Sequence, residues 1–300
     1  FDEPMFLMGI RDNLLRERYD GEVYLKFTFD IRHGYIPACL RLAIEPVYDS
    51  VFVNGTRIEP PSDEWWFDRR IAAADIASLV HPGSNEIICK VNYHQSEHVY
   101  YVMHDKKGQG ALRNSLLFDT DLDYLYLIGD FGVCTDGTFS EGSMNSDLFD
   151  GKFSLDRQPT HVSSHDVVRS SFPFFSGTLK LEFDYQYSPG MPTVLKTPGR
   201  HAVLDVSVNG AEVGRKLFDD ETDLSSNLKP GNNTIGIAVS NSMRNTFGPH
   251  HRKDEEFYGI APMTFNFENE WNGRECKDFR DRYSFIRFGI KYHTILGSYP

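Results

Sequence analysis

The pentapeptide Val-Phe-Val-Asn-Gly at residues 51–55 returns half a chain later as Val-Ser-Val-Asn-Gly at residues 206–210. Both copies have the alternating pattern that is typical of a β-strand with one buried face. Asn and Gly tolerate the positive φ angles of a two-residue hairpin turn, so each copy predicts a strand ending in a tight turn. An internal repeat of this kind predicts two related structural units in one chain.

A second matching segment follows each copy in the same order. Five residues separate Asp-Ile at 75–76 from Pro-Gly at 82–83, and five residues separate Asp-Leu at 223–224 from Pro-Gly at 230–231. Pro-Gly suits the centre of a β-turn, because Pro sets φ at the second position and Gly supplies a positive φ at the third. An alternating strand follows each Pro-Gly pair at once, which supports the duplication.

Alternating strands recur along the chain at intervals of about 8–15 residues, and no long run has a helical period. We therefore predict an all-β fold with two tandem antiparallel β-sandwich domains of the jelly-roll, galactose-binding-like type. The first domain is predicted at residues 1–135 with an N-terminal lead-in. The second is predicted at residues 136–300 after a polar linker, which we expect within the stretch 134–170.

Composition excludes several function classes. The formal net charge is −12, from 31 Lys and Arg against 43 Asp and Glu, and there is no basic block. Phosphates would be repelled by most of such a surface, so we predict no nucleic-acid partner. No apolar run approaches the roughly 18 residues of a membrane helix, so we predict no membrane span.

The four cysteines are widely spaced and form no Cys-x-x-Cys pair, which argues against a zinc cage and a disulfide-rich scaffold. Cys39 and Cys89 lie in apolar, strand-like runs, and we expect both to be buried free thiols. The sequence contains no Gly-x-Ser-x-Gly elbow, Walker loop or His-Glu-x-x-His helix. It therefore nominates no catalytic residue.

The repeat resembles the sugar-binding jelly-roll domain of glycoside hydrolase family two and other galactose-binding-like sandwiches attached to large glycosidases. The motif with Pro-Gly-x-Asn matches closely at residues 228–233 and more loosely at 80–85. Residues 172–178 and 241–251 are similar to the C-terminal sandwiches of rhamnosidase-type hydrolases. These likenesses cover about half the chain and consist of turn and strand residues. In such families the catalytic carboxylates lie on a separate barrel domain, so the resemblance implies a fold and not a ligand.

The leading interpretation is a non-catalytic accessory or carbohydrate-binding region of a large glycoside hydrolase, with carbohydrate and the parent chain's catalytic domain as partners. The alternative is a free-standing glycan-binding or adhesion module without an attached enzyme. A complete small hydrolase is the third interpretation. The chain begins at Phe1 without Met, and we expect it to be a segment of a longer protein. Extracellular and cytoplasmic locations in a bacterium both stay open.

Three tryptophans are candidate ligand residues, because sugars stack their apolar CH faces on flat aromatic rings. Trp65 and Trp66 follow a proline-rich loop, and Trp271 stands beside an Asn-Gly turn. If the pair is extended, adjacent side chains point oppositely, so at most one of the two rings faces solvent. The alternative for each tryptophan is packing within the protein.

The most chemically crowded stretch outside the repeat is residues 244–251. Arg244, Asn245 and His250 are candidate ligand residues there, because they offer directional hydrogen bonds to sugar hydroxyls or a carboxylate. A Gly-Pro turn inside the stretch should bring them to one rim of the sandwich. The alternatives are internal packing, an interface with a neighbouring domain, and a metal site.

Asp119, Asp121 and Asp123 have the alternate spacing of a calcium loop, but Tyr124 stands where such a loop needs glycine. We therefore interpret the stretch as the solvated start of a strand. The family resemblance implies one structural calcium held by loop carbonyl groups, whose position the sequence does not show. No other cofactor is predicted, and the metal site is left unassigned.

Overall fold

The computed structural model of the chain describes residues 7–61, 63–104, 112, 115–143, 146–248, 250–251, 282–291 and 293–296. These residues divide into two compact units. Unit 1 comprises residues 7–134 with Phe153–Gln158, and unit 2 comprises Thr135–Lys152, residues 159–251 and residues 282–296. The predicted domains at 1–135 and 136–300, as separately folding parts, stay a prediction.

Unit 1 consists of two antiparallel sheets around one apolar core. Its strands are β1 (Gly21–Ile31), β2 (Leu40–Ile44), β3 (Ser50–Val53), β4 (Thr56–Ile58), β5 (Trp65–Trp66), β6 (Asp68–Asp75), β7 (Gly83–Tyr93) and β8 (Tyr126–Gly129). One sheet contains the order β1-β7-β3-β4, and the other has the order β5-β6-β2-β8. Leu42 from one sheet and Val53 and Cys89 from the other are completely buried in the shared core.

Two long strands follow, β9 (Phe131–Glu141) and β10 (Ser146–Arg157), and within each the chain passes from one unit to the other. Among its described residues, unit 1 has two α-helices, α1 (Leu7–Arg16) and α2 (Glu97–His104), and a 3-10 helix at Ala77–Leu79. Leu15 of α1 packs with Val99 and Tyr100 of α2 in a small separate cluster. None of the helices among the described residues is long and apolar enough to cross a membrane.

Unit 2 repeats the arrangement. Its strands are β11 (Thr178–Tyr187), β12 (Val194–Lys196), β13 (Gly199–Arg200), β14 (Val203–Val208), β15 (Ala211–Lys216), β16 (Glu221–Asp223), β17 (Gly231–Ser240), β18 (Tyr283–Ile286), β19 (Gly289–Ile290) and β20 (Thr294–Leu296), with a short helix α3 (Arg244–Phe247). One sheet has the order β11-β17-β14-β15, and it packs its apolar face on β16-β12-β20 and the pair β13-β19.

The sequence repeat is therefore a repeat in structure. The order β1-β7-β3-β4 in unit 1 corresponds strand for strand to β11-β17-β14-β15 in unit 2. The opposing order β6-β2-β8 corresponds in the same way to β16-β12-β20. The predicted all-β sandwich fold is confirmed, while its jelly-roll, galactose-binding-like assignment stays a prediction.

In unit 1 the two asparagines of the repeat hydrogen-bond to each other. Nδ2 of Asn54 donates to Oδ1 of Asn85 at 2.8 Å, and Oδ1 of Asn54 accepts the backbone N–H of Glu86 at 2.9 Å. Asn85 is only 1% exposed; it accepts the backbone N–H of His81 and donates to the carbonyl oxygens of His81 and Gly83. The pair ties the Asn-Gly hairpin to the start of β7.

In unit 2 the same contacts recur. Nδ2 of Asn209 donates to Oδ1 of Asn233 at 2.9 Å, and Oδ1 of Asn209 accepts the backbone N–H of Thr234 at 3.0 Å. Asn233 is also 1% exposed; it accepts the backbone N–H of Lys229 and donates to the carbonyl oxygens of Lys229 and Gly231. Asn209 has a φ of 51° and its counterpart in unit 1 a φ of 47°, the left-handed conformation that Asn tolerates best after Gly. The motif therefore has one structure in both units.

Two details differ from the sequence-based expectations. The polar stretch after Cys134 is not an irregular linker over its whole length, because much of it forms β9 and β10. The two strands pair with each other and approach closely where both have glycine: a Cβ at Gly137 would lie 2.2 Å from the backbone oxygen of Asp150. Cys89 is buried as predicted, but the prediction for Cys39 is wrong: it precedes the first residue of β2 and is exposed.

We predict that Asn233→Ala lowers the free energy of unfolding by about 2–4 kcal/mol, because buried backbone groups and the Asn209 amide lose their partners. Denaturant unfolding followed by circular dichroism measures the change. Asn232→Ala is the matched control, since Asn232 is the exposed neighbour in the same strand. Equal losses in the two variants would contradict a specific role for the asparagine pair.

Candidate functional site

A cleft of about 560 Å³ opens on unit 2. Its walls come from residues 198–202, 217–220, 241–242, 244–245 and 286–288. The first segment includes β13, which pairs with β19 through Arg200 and Gly289. A Cβ at Gly199 would lie 2.4 Å from the carbonyl oxygen of Gly289, so only glycine permits this close approach. That approach sets the position of Arg200 at the cleft.

One lip of the cleft is apolar and unusually exposed. Leu217 and Phe218 lie in the loop between β15 and β16, and the Phe218 side chain is completely exposed. A phenylalanine ring that contacts water on every side contributes nothing to the folded core. Its exposure at the edge of a cleft marks it as a candidate contact for a partner molecule.

The same loop supplies two carboxylates to the cleft, Asp219 and Asp220. Asp219 accepts the backbone N–H of Glu221 at 3.0 Å and lies 3.3 Å from Nζ of Lys216. These hydrogen bonds lower the pKa of Asp219, so its carboxyl group is ionised at neutral pH. Asp220 is half-buried, and its backbone oxygen accepts the N–H of Thr197 at 2.8 Å.

Another part of the cleft wall is held by a buried ion-pair network around Asp147, whose side chain is completely inaccessible to solvent. Nη2 of Arg169 donates to its carboxylate at 2.6 Å, and Nε of Arg287 donates at 2.7 Å. Arg287 also donates to Glu141 at 3.1 Å. Since a buried carboxylate is stable only when it is fully paired, the network holds Arg287 in place at the cleft wall.

The predicted ligand residue Asn245 lines the cleft but is buried. Its Nδ2 donates to the carbonyl oxygen of Ile286 at 2.8 Å, and its Oδ1 accepts the N–H of Ile286 at 2.8 Å. The amide thus pairs with β18 as a neighbouring strand would. This arrangement makes Asn245 a clamp that joins α3 to β18 and builds the cleft wall.

His250 lies behind this clamp. Its Nε2 is 2.8 Å from the backbone oxygen of Asn245, and its ring packs against Phe174 and Phe285. Burial lowers the pKa of His250 to about 4. A neutral Nε2–H that donates to the Asn245 oxygen fits this environment, and it gives His250 a packing role beside the cleft.

Arg244 also lines the cleft. Its Nη1 donates to the backbone oxygen of Ser284 at 3.4 Å, which directs the guanidinium group along β18. The structure thus brings two predicted ligand residues, Arg244 and Asn245, to one cleft, with His250 adjacent. A ligand contact by any of the three stays a prediction.

The tryptophan candidates lie elsewhere. Trp65 and Trp66 form β5 at the edge of a sheet in unit 1, where Trp65 is 50% exposed. Trp66 packs its ring 5.2 Å from the ring of Tyr126. Only one of the two therefore has a widely exposed ring, as the alternation of a strand predicts. Trp271 lies outside the described residues.

The three aspartates with calcium-loop spacing do not converge. Asp119 accepts the N–H of Ser96, Asp121 lies 3.6 Å from Arg11, and Asp123 accepts the N–H of the next residue. Within the part of the chain that the structure describes, no three His, Cys, Asp or Glu side chains form a group that could hold a metal ion. The calcium site that the resemblance implies is not assigned to these aspartates.

Sequence reasoning missed Phe218 and Arg200. Leu217 and Phe218 stand between polar strand ends in Lys-Leu-Phe-Asp-Asp-Glu, and such an apolar pair inside a turn segment is a signal of surface exposure. Arg200 follows another Pro-Gly pair, at residues 198–199, which resembles an ordinary turn. Its approach to the cleft depends on contacts with β19, about ninety residues away, and no local pattern reveals them.

No protein-family model and no curated protein matches this sequence. Among solved structures, an α-L-rhamnosidase of Streptomyces avermitilis is 14% identical, with a TM-score of 0.27 over 74% of this chain and 22% of that chain. A β-D-mannosidase of Dictyoglomus thermophilum is 11% identical, with a TM-score of 0.25 over 79% and 27%. A lectin of Pleurotus ostreatus is 11% identical, with a TM-score of 0.20 over 74% and 68%. The likenesses are loose, and this chain spans less than a third of the length of either glycosidase.

We predict that protonation of His250 destabilises the fold. Its folded-state pKa, about 4, lies below the usual 6.5, so its stabilising effect is complete above pH 6.5 and is lost as the pH falls towards 4. The loss should reach about 3 kcal/mol, since one pKa unit corresponds to about 1.4 kcal/mol. Denaturant unfolding at several pH values measures it.

The control for this prediction is His250→Gln, which keeps an N–H donor and removes the titration. The variant should show a shallower fall in stability between pH 6.5 and pH 4 than the unaltered protein. An identical pH dependence in the two proteins would contradict the assignment of a neutral, buried His250.

Proposed function

We propose that this chain is a non-catalytic accessory region of a large glycoside hydrolase and that the cleft in unit 2 binds carbohydrate. The observation that carries the proposal is the completely exposed ring of Phe218 at the lip of a cleft with charged walls. Apolar and polar groups in this combination suit a sugar better than they suit a purely apolar or a purely ionic ligand.

The chemistry of the cleft matches the two surfaces of a sugar ring. The CH face of a sugar is apolar and packs on a flat aromatic ring such as Phe218. Its hydroxyl groups need donors and acceptors at the edges, which Arg244 and Asp220 supply from different segments of the lining. The volume of about 560 Å³ lies within the range of small-molecule sites, about 300–1,000 Å³.

The carboxylates of the cleft do not suit glycoside hydrolysis. That reaction needs two carboxyl groups on opposite sides of the scissile bond, about 5–10 Å apart, and one must be protonated to act as the acid. Asp219 and Asp220 are successive residues on one loop, and the pKa of Asp219 is lowered. This arrangement supports binding without catalysis, with the catalytic domain of the parent chain as a further proposed partner.

Trp65 is proposed as a second carbohydrate contact, in unit 1, because the residue is 50% exposed at a sheet edge. Trp66 would then support the sheet from which Trp65 projects, through its contact with Tyr126. In unit 2, Arg244 is the proposed ligand contact. Asn245 and His250 contribute to the same site by holding the wall that presents Arg244.

We predict that Phe218→Ala lowers affinity for a carbohydrate found on a glycan array by at least tenfold, because the stacking surface is lost. Isothermal calorimetry with that carbohydrate measures the change. The thermal midpoint should stay unchanged, since the ring makes no core contact. Tyr101→Ala, which removes an exposed aromatic ring from α2 in unit 1, is the matched control and should bind normally.

Two outcomes would contradict the proposed function. Absence of binding to every arrayed glycan, by protein of native circular dichroism, would remove the carbohydrate role itself. Normal affinity in Phe218→Ala would show that the carbohydrate binds somewhere other than this cleft.

We also predict no hydrolysis of aryl glycosides by this chain alone, because the cleft lacks an opposed acid and base among its described residues. Release of nitrophenol from a panel of nitrophenyl glycosides provides the measurement. Turnover above the spontaneous rate that is abolished by Asp220→Asn would overturn the accessory interpretation.

A further inference from the structure

The two edges of the main sheet in unit 2 differ in how they are protected against pairing with another chain. β15, at one edge, has six residues and a register irregularity opposite Val206 and Ser207. β4, which takes the same position in unit 1, has only three residues. Short length and irregular register are common ways in which proteins protect an edge strand.

β11, at the other edge of the sheet, has no such protection. Its ten residues pair with β17 in one continuous register, and it contains neither glycine nor proline. The corresponding strand of unit 1, β1, meets β10 on its outer side, where Ile31 pairs with Leu155. Among the residues that the structure describes, β11 pairs with β17 alone. It is therefore a long, regular edge strand of the kind that accepts another strand.

The backbone groups on the open side of β11 belong to alternate residues. The carbonyl oxygen of Gly177, just before the strand, accepts the N–H of Asn241, just after β17. In an antiparallel pair, successive residues direct their backbone groups to opposite sides of the strand. The residues of β11 that direct these groups away from β17 are therefore Thr178, Lys180, Glu182, Asp184 and Gln186.

The side chains of β11 alternate in the same way. The five residues with outward backbone groups are exposed, whereas Leu179, Leu181 and Phe183 belong to the row that packs on the core of unit 2. These apolar side chains are only partly buried. A strand added at this edge would cover more of the apolar row and would also satisfy the outward backbone groups.

We propose that β11 pairs antiparallel with β11 of a second copy of this chain, so that the two copies form a symmetric dimer. A two-fold axis at Leu181 places Lys180 of each copy opposite Glu182 of the other. Opposite charges that face each other across neighbouring strands stabilise the pairing. In the same register Leu179 faces Phe183, so the apolar rows of the two strands also match.

The charges of β11 favour this register over its neighbours. A two-fold axis at Lys180 would bring two lysines face to face, and an axis at Glu182 would bring two glutamates face to face. An axis at Phe183 would place Glu182 opposite Asp184. Like charges directly opposite each other are destabilising in a sheet. The axis at Leu181 avoids all three of these contacts.

Pairing through β11 gives a closed assembly. A symmetric dimer uses the same edge of both copies and leaves the protected strand β15 at each end of the joined sheet. One pair of strands is small beside a standard interface of about 1,200–2,000 Å², so we expect a dimer that dissociates in the micromolar range. β11 does not line the cleft in unit 2, so the inference does not depend on the proposed function.

Sedimentation velocity over a series of protein concentrations tests the dimer, and the unaltered protein should shift from monomer to dimer as its concentration rises. Lys180→Glu and Glu182→Lys should each raise the dissociation constant by about tenfold or more, because like charges then face each other. Combining the two substitutions should restore dimerisation, since the facing charges are opposite again. Glu212→Lys, at an exposed position of β15, is the matched control and should leave the dissociation constant unchanged.

Disulfide formation tests the register, in a Cys39→Ser background that lacks an exposed thiol. Leu181→Cys should give a covalent dimer on mild oxidation, because the two copies of this position face each other with their Cα atoms about 4.5 Å apart. Leu179→Cys, on the same face of the strand, is the matched control. It should stay monomeric under reducing-agent-free denaturing electrophoresis, because its two copies lie more than about 13 Å apart along the strands.

Two outcomes would overturn the pairing itself. One is a protein that stays monomeric at every concentration, and the other is a dimer with the same dissociation constant in Lys180→Glu, Glu182→Lys and the unaltered protein. A dimer that is lost in Phe218→Ala and kept in both charge variants would instead assign self-association to the apolar lip of the cleft. Cross-linking of Leu179→Cys without cross-linking of Leu181→Cys would overturn the register.

Discussion

A single side-chain contact, the hydrogen bond between two asparagines, underlies each sandwich. An Asn-Gly hairpin leaves backbone groups at its tip without strand partners, and the following Pro-Gly turn leaves others. Asn54 and Asn85 satisfy both sets at once, and Asn209 and Asn233 do the same in unit 2. The contact links the third and seventh strands of unit 1 at the point where their pairing begins. Apolar pattern alone would allow a strand to slip by one residue, whereas an amide pair with one buried member in each unit has one satisfied register.

Much of the fold could be predicted from the sequence, because the patterns that identify its turns and strands are local. Asn-Gly, Pro-Gly and the alternation beside them identify the turns, the strands and the repeat without reference to tertiary contacts. The helix α2 could not be found in this way. Its segment, rich in aromatic and β-branched residues, has low helical propensity, and it is helical while packed on Leu15 of α1. The strands β9 and β10 were missed for a related reason. Their close pairing requires glycine at Gly137, and that glycine with its polar neighbours interrupts the apolar alternation that identifies a strand.

The candidate site was predictable only in part. The crowded stretch that contains Arg244 and Asn245 does reach a cleft, but the sequence does not distinguish a side chain that faces a ligand from one that holds a wall. That distinction depends on Ile286, more than forty residues away, whose backbone uses both polar atoms of the Asn245 amide.

The residues of the cleft divide into those that build its wall and those that are exposed at its lip. Buried polar groups such as Asp147 hold the wall in place, and the exposed Phe218 side chain does not stabilise the fold. Variation at the lip is compatible with an unchanged scaffold.

The paired asparagines also affect how readily the protein undergoes deamidation. Asn followed by Gly is the dipeptide at which a backbone nitrogen most readily attacks the side-chain amide and releases ammonia, and each unit has one such dipeptide at its hairpin. While the amide of Asn209 is engaged by Asn233 and Thr234, it is held away from that reaction. Conversion to a carboxylate would replace a donor with an acceptor that faces the oxygen of Asn233, so the contact would become repulsive. The rate of deamidation in each sandwich therefore depends on how often its Asn-Gly hairpin opens.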